Sequence, residues 1–171
     1  MDLTLVERAR QGDADSFQQL VIPRLDRAYR VALGLTGSEA DAHDATQEAF
    51  VSAWRKLPQL KDAGRFDAWL VQIVINASRM QIRRRRVREI TIDEVHDRLP
   101  GVRDQGIDRA MLLDAIGRLP FEQRVVVALH YLDDRPVERV AGELGIPVGT
   151  VKSRLFAARR ALRVALGSPT P

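Results

Sequence analysis

Residues 135–158 read RPVERVAGELGIPVGTVKSRLFAA, and this stretch decides the fold. Pro136 suits the first turn of a helix, and Val137, Val140, Ala141 and Leu144 give that helix one apolar face at helical spacing. Gly145 stops it. Gly-Ile-Pro then makes a short turn, with Ile146 free to plug between two helices and Pro147 opening the second. Two helices joined in this way are the supersecondary unit that reads DNA. On the second helix Val151, Leu155, Ala158 and Leu162 fall on one stripe, leaving Gly149, Lys152, Ser153, Phe156 and Arg160 on the opposite face. Lys152, Arg154, Arg159, Arg160 and Arg163 meet no acid anywhere on that helix. A solvated basic face on an amphipathic helix pair would explain the charge alone. It does not require the turn chemistry as well, so DNA binding is the reading the stretch favours.

Composition bounds the rest. A chain of 171 residues is long enough for one domain or two small ones. It contains no cysteine, which removes disulfides and cysteine zinc sites and suits a reducing cytoplasm. No apolar run approaches a membrane span, and the start, MDLTLVERARQGD, lacks the basic-then-apolar pattern of a signal peptide. The expectation is a cytoplasmic protein without membrane insertion. Lys56, Lys61 and Lys152 are the only lysines, so the basic character is carried by arginine. Its fixed charge and planar fork favour phosphate and guanine contacts.

The charge is unevenly spread. Residues 1–88 and 108–171 are each net basic, whereas 89–107, EITIDEVHDRLPGVRDQGI, is net acidic. That segment holds Pro100, Gly101 and Gly106 and no sustained helical period, so it reads as a flexible linker. Fully extended it would span roughly 60–65 Å at about 3.3–3.6 Å per residue, enough to let two modules sit far apart on a long target. The predicted architecture is all-α: two small helical domains, 1–88 and 108–171, each folding independently, the C-terminal one a helix-turn-helix.

Helical signals run through the first domain. Thr4 and Glu7 have capping-box spacing before a short helix that Gly12 ends. From Ser16 to Leu35 apolar residues recur at Phe17, Leu20, Val21, Leu25, Ala28 and Ala32, with a kink at Pro23. Ser38 and Asp41 cap a third helix whose inner stripe is Ala42, Ala45, Ala49, Ala53 and Leu57, closed by Pro58. Its outer stripe, Asp41, Asp44, Glu48 and Ser52, presents carboxylates. They serve either a partner or the helix macrodipole, and spacing alone does not choose.

The fourth helix, from Phe66 to about Arg88, is apolar around nearly its whole circumference up to Met80. One polar stripe remains: Gln72, Asn76, Arg79 and Arg83, aligned by four-, three- and four-residue steps. Arg83, Arg84, Arg85, Arg86 and Arg88 then circle the helix, so this end is expected to project into solvent or onto phosphate. Phe66 and Trp69 border the stripe, where aromatics beside a cationic groove would stack single-stranded bases. For Trp69 the core role is the favoured reading, since an isolated tryptophan on an apolar helix is more often buried than stacked on a base.

Three stretches, TGSEADAHDATQEAFVSAWRKL, GRFDAWLVQIVINASRMQIRRRR and LPFEQRVVVALHYLDDRPVERVAGELGIPVGTVKSRLFAARRAL, resemble in order and spacing the extracytoplasmic-function sigma factors, the smallest class of bacterial sigma factors. The resemblance implies that the acidic helix docks on the clamp helices of core RNA polymerase through Asp41, Asp44, Gln47, Glu48 and Trp54. It implies that Phe66, Trp69, Gln72, Asn76, Arg79 and Arg83 capture the melted minus-ten strand of promoter DNA. The terminal helix would read the minus-thirty-five element through Gly149, Thr150, Lys152, Ser153 and Arg154, with Arg159 and Arg160 on backbone phosphates, a division in which phosphate contacts position and base contacts specify. An anti-sigma factor is the implied regulator, and the implied state is a monomer when free or a one-to-one complex with its partner.

Some positions depart from the family pattern. His43 stands where glutamate is usual and softens the acidic patch. Met80 replaces a polar or acidic residue, and Ile75 an arginine, on the minus-ten helix. Phe156 replaces a small or polar residue on the exposed face of the recognition helix, where it touches either a thymine methyl or, the reading preferred here, a protein partner.

Catalysis is not expected. His43, His96 and His130 lie in different predicted elements, and neither a GxxxxGK[ST] loop nor an HExxH helix occurs. No cofactor or metal is called for. The rival reading is a helix-turn-helix regulator that binds an operator without polymerase. Such a protein would devote its other domain to dimerisation or an effector pocket, not to an arginine-ringed helix beside aromatics.

Overall fold

The structure is a computed structural model that describes residues 3–91 and 107–166, and all of its elements are helical. The first module runs through α1 (Leu3–Arg10), α2 (Ala14–Val21), α3 (Leu25–Thr36), α4 (Glu39–Lys56) and α5 (Phe66–Thr91). The second contains α6 (Ile107–Gly117), α7 (Phe121–Val127), α8 (Val137–Leu144) and α9 (Val148–Ala165). Most of the expected linker lies outside the described residues. Its first residues, 89–91, still belong to α5, so the helix outruns the boundary drawn at Arg88.

Local chemistry sets the helix ends. Thr4 lies inside α1 instead of capping it, because the helix already begins at Leu3. Gly12 takes φ +96°, and Asp13 then caps α2, accepting from the Asp15 and Ser16 amides. Hydrogen bonds from Ser16 and Arg8 hold the Asp13 carboxyl below the usual carboxylate range. The expected kinked helix through Pro23 is broken outright. A three-residue 3-10 turn, Ile22–Arg24, separates α2 from α3, since proline brings no amide and clashes with the carbonyl four residues before it. Gly37 (φ +69°) ends α3, and the Ser38 hydroxyl accepts from the Asp41 amide to start α4.

The first core is built on small residues. Ala42, Ala45, Ala49 and Ala53 make one fully buried side of α4, which lets α3 and α5 approach closely and surround it with Leu35, Phe66, Leu70 and Val74. At roughly 25 cal/mol per Å², such interdigitated apolar area is the main favourable term holding three helices together. Ser78 and Thr46 sit in this core without cost, each donating its hydroxyl to the carbonyl four residues earlier.

In the second module the run Val125, Val126, Val127, Ala128 and Leu129 is buried without a gap. A helix apolar on all sides needs cover on all sides. Here α9 covers one flank of α7 and α3 of the first module the other. The two modules are therefore packed together in this conformation. A π-helical turn, Ala128–Leu132, follows α7, closed by the Asp133 amide on the Ala128 carbonyl. It carries the chain to Asp134, whose φ of 49° is a left-handed value aspartate tolerates, and then to the helix-turn-helix. Between α8 and α9 the expected turn chemistry is present: Gly145 at φ +66°, the Ile146 amide on the Ala141 carbonyl, and Pro147 preceding α9.

Candidate nucleic-acid and polymerase interfaces

The recognition-helix face is formed on α9. Val151, Leu155 and Ala158 anchor the helix in the core, and by the helical repeat this turns Gly149, Lys152, Ser153, Phe156, Arg159 and Arg160 outward, all exposed. Thr150 and Arg154 are half-buried. The Ser153 hydroxyl donates to the Thr150 carbonyl. Arg154 reaches back to Glu122 of α7 at 3.3 Å. With no carboxylate on the helix itself, the face combines positive charge with one large apolar side chain, Phe156, 65% exposed.

On α5 the expected stripe exists, and its occupants differ in freedom. Asn76 and Arg83 are exposed. The Gln72 amide donates to the Glu143 carbonyl at the end of α8, 2.8 Å away. Arg79 pairs with Glu122 at 2.8 Å, and its guanidinium lies 4.6 Å from the centroid of the Phe121 ring. Phe66 does not border the groove as expected. It is fully buried, with Arg24 over its ring at 5.3 Å and Trp69 tilted against it at 5.8 Å. Trp69 is half-buried against the core, and its remaining surface lines a groove with Leu60, Lys61, Arg65, Gln72 and Glu143. Lys61 and Arg65 were not singled out from sequence. Their signal was positive charge just before an aromatic on the next helix turn.

The acidic face of α4 is narrower than the sequence implied. Asp44, Gln47 and Glu48 are exposed. Asp41 is not: it is 7% exposed, paired with Arg85 at 3.0 Å, and Gln81 donates to both Asp41 and Asp44. Arg85 correspondingly folds inward, against the expectation that every arginine of that run projects outward. Asp41 is four residues from Ala45, about 40° around the helix at 3.6 residues per turn, so it stands at the border of the buried stripe. A charge there is tolerated because a countercharge meets it. Trp54 is 36% exposed and leans on Phe17, ring centroids 5.0 Å apart. His43 packs on Tyr29 at 4.8 Å.

A dense polar seam joins the modules, and sequence reading had no access to it. The Asp133 side chain is fully buried, paired with Arg27 of α3 at 2.7 Å and with Arg135. The Asp133 hydrogen bond holds the Arg27 guanidinium above its ordinary pKa. Arg135 also pairs with Glu143, which Arg139 meets at 2.9 Å. Arg124 donates to the Leu35 carbonyl at 2.8 Å, placing a cation at the C-terminus of α3, while burial and then the nearby Arg86 and Arg85 push its pKa down.

Among the described residues no His, Asp or Glu cluster is arranged to hold a metal ion, and no helix is long and apolar enough to cross a membrane.

The chain matches the family model of Sigma-70 region 2 over residues 20–88 and that of Sigma-70, region 4 over residues 109–162. It is 35% identical to the ECF RNA polymerase sigma factor SigE of Mycolicibacterium smegmatis, over 90% of this chain and 62% of that relative's length. It is 33% identical to the RNA polymerase sigma-E factor of Streptomyces antibioticus, over 90% of this chain and 86% of the relative. With the ECF RNA polymerase sigma factor SigL of Mycobacterium tuberculosis the identity is 35% over 81% of each chain. Among solved structures, CnrH in complex with the cytosolic domain of CnrY superimposes with a TM-score of 0.73 at 27% identity, covering 99% of both chains. The sigma factor RpoE of Bartonella quintana, in complex with the anti-sigma factor NepR, gives 0.71 at 25% identity, covering 92% of this chain and 100% of that one.

Proposed function

The chain belongs to the extracytoplasmic-function sigma factors of bacterial RNA polymerase, and on that premise we propose that it joins core polymerase and directs it to promoters. The observation that carries the proposal is one chain bearing three chemically different surfaces. The exposed carboxylates Asp44 and Glu48, with Gln47 and Trp54 beside them, suit a basic helical groove on a protein partner. The face of α9 suits duplex DNA, with Lys152, Ser153 and Arg154 in the early turns where a helix-turn-helix meets base edges, Gly149 and Thr150 allowing close approach, and Arg159 and Arg160 toward phosphate. The stripe Gln72, Asn76, Arg79 and Arg83, with the groove at Trp69, Lys61 and Arg65, suits a single strand, since an aromatic face beside cations accepts any base.

In this reading the chain performs no catalysis. It supplies addresses, and the reaction belongs to polymerase. The place of action is the cytoplasm, and an anti-sigma factor is its proposed regulator, by analogy with RpoE, which was solved with NepR. An operator-binding regulator would use the α9 face but leave the acidic surface of α4 without a task. The test is direct: purified chain is added to core polymerase, and run-off transcription is scored on a genomic promoter library. Transcripts with discrete starts that require the added chain support the proposal, and duplex binding without any start overturns it.

A further inference from the structure

One flank of α9 faces a second wall that the proposal above leaves without a task. Lys152 and Arg159 stand on that flank, seven residues and two turns apart, with Phe156 between them. Opposite them is the π-helical turn that follows α7. The groove between the two is lined by Tyr131 and His130 from the turn and by Lys152, Phe156 and Arg159 from α9, over an apolar floor at Leu155. No acidic residue lines it.

Tyr131 is 47% exposed, yet its ring is held. The His130 ring meets it edge-on with centroids 4.7 Å apart, and the His130 Nδ1–H donates to the Arg135 carbonyl at 2.7 Å. A carbonyl only accepts, so this bond sets the tautomer of the ring. Arg135 is itself anchored, its guanidinium buried against Asp133 and Glu143. A chain of contacts thus runs from a buried ion-pair cluster to an exposed phenol. Among the described residues no group accepts from the Tyr131 hydroxyl.

A helix seated in the major groove, about 12 Å wide, has a sugar-phosphate strand on either side of it. A side chain that stands beside the recognition helix without belonging to it therefore meets that strand and not the base edges. Around this groove Lys152 and Arg159 bring charge, and Tyr131 brings a neutral donor of a kind that holds phosphate oxygens. Charge and position agree on the occupant, a polyanion lying alongside α9.

We propose that Tyr131 is a backbone-phosphate contact of the bound duplex, its hydroxyl donating to a phosphodiester oxygen, and that His130 is the positioning residue that holds it there. The inference rests on the reading of α9 as the duplex-binding helix and extends the duplex site beyond that helix. One consequence sets Tyr131 apart from its cationic neighbours. The salt dependence of binding comes from protein cations that release counterions from DNA. A phenol releases none, so its contribution is independent of sequence and of salt alike.

Binding by the full chain is measured by fluorescence anisotropy across a potassium chloride series. The probes are a fluorescein-labelled duplex from a promoter at which the chain starts transcripts, and single-base variants of it. Tyr131→Phe removes only the hydroxyl of an exposed ring. It is expected to weaken every duplex by a common factor of about three- to tenfold, the range of one hydrogen bond, with the slope of log affinity against log salt unchanged. Arg159→Ala in the same assay should lower that slope by about one unit. His130→Ala should reproduce the Tyr131→Phe loss, and His130→Asn, whose amide keeps a donor for the Arg135 carbonyl, should restore most of it. In the Tyr131→Phe background His130→Ala should cost nothing further.

Unchanged affinity in Tyr131→Phe overturns the phosphate contact, as does a lowered salt slope or a reordered panel. A His130→Ala loss that persists without the Tyr131 hydroxyl makes His130 structural and overturns its positioning role. Should His130→Ala lose native helix content, His130→Asn decides: parent affinity supports the positioning role, and the Tyr131→Phe loss overturns it. If binding is indifferent to Arg160→Ala as well, α9 is not the duplex-binding helix, and that reading fails together with the contact. A normal response to Arg160→Ala with none to Tyr131→Phe sinks the contact alone.

Discussion

Helices α5 and α9 carry the same sequence signature, an apolar stripe backed by polar and arginine-rich positions, yet they meet their surroundings differently. On α9 the polar face is open except at Arg154, because that helix is packed from one side only. On α5 the corresponding stripe lies at the seam between modules, where Gln72 and Arg79 already have partners. The periodicity of a helix tells which residues share a face. It does not tell whether another part of the same chain will occupy that face first.

The largest expected effect breaks the comparison at its weakest point, the start of α5. Phe66 is fully buried, so Phe66→Ala is expected to destabilise the first module by about 3–5 kcal/mol in urea unfolding. Trp69→Ala, half-buried at the groove, should cost less stability and more single-strand affinity. Equal stability losses would make both residues core; a Phe66 variant of normal stability with weakened strand binding would return it to the DNA surface.

How much of this was legible in sequence follows from which contacts are local. The helix-turn-helix was, since Pro136, Gly145 and Pro147 act within a few residues of where they stand. So was the alanine stripe of α4, which requires only a helical repeat. The doubly buried run from Val125 to Leu129 was not assigned to an element, because half of its cover comes from α3, some ninety residues earlier, and no local period reveals that. Asp41 was placed on the outer stripe because its countercharge, Arg85, is 44 residues away. Gly34, where a Cβ would come within 2.5 Å of Leu132, carried no signal, since a glycine in a helix announces a close approach only once the other surface is known.

A second effect, on the order of 2–3 kcal/mol, concerns the acidic face of α4, where like charges brought together are costly. Reversing Asp44 and Glu48 to lysine is expected to weaken core polymerase binding, measured by competition with the parent chain, and to leave duplex binding by the second module intact. Unchanged core affinity would leave both carboxylates as a solvated face of α4, since the helix begins at Glu39 and neither lies in the first turn where the macrodipole acts. Asp41→Asn provides the contrast. It should act on the stability of the α4 and α5 packing through Arg85, not on a partner.

Next in size are the early turns of α9. Lys152→Ala and Arg154→Ala are each expected to cost about 1–3 kcal/mol on a duplex carrying the minus-thirty-five element and to relax preference at particular base pairs. The two should separate in the free chain. Arg154 pairs with Glu122, so Glu122→Gln should strengthen duplex binding when Arg154 is present and have no effect once Arg154 is alanine. A double-mutant cycle measures that coupling, and additive losses would remove Glu122 from the duplex surface.

The smallest effect distinguishes holding from reading. Arg160 stands two turns beyond Lys152 on the same exposed side of α9, past the turns where a recognition helix meets base edges. Its role is therefore phosphate contact. Arg160→Ala should weaken every duplex in a single-base panel by a common factor and lower the slope of log affinity against log salt by about one unit, the signature of one counterion no longer released. Lys152→Ala should instead reorder the panel. If both variants only rescale it, the open face of α9 grips backbone without reading sequence, and the contrast with α5 reduces to one occupied cationic surface and one vacant one.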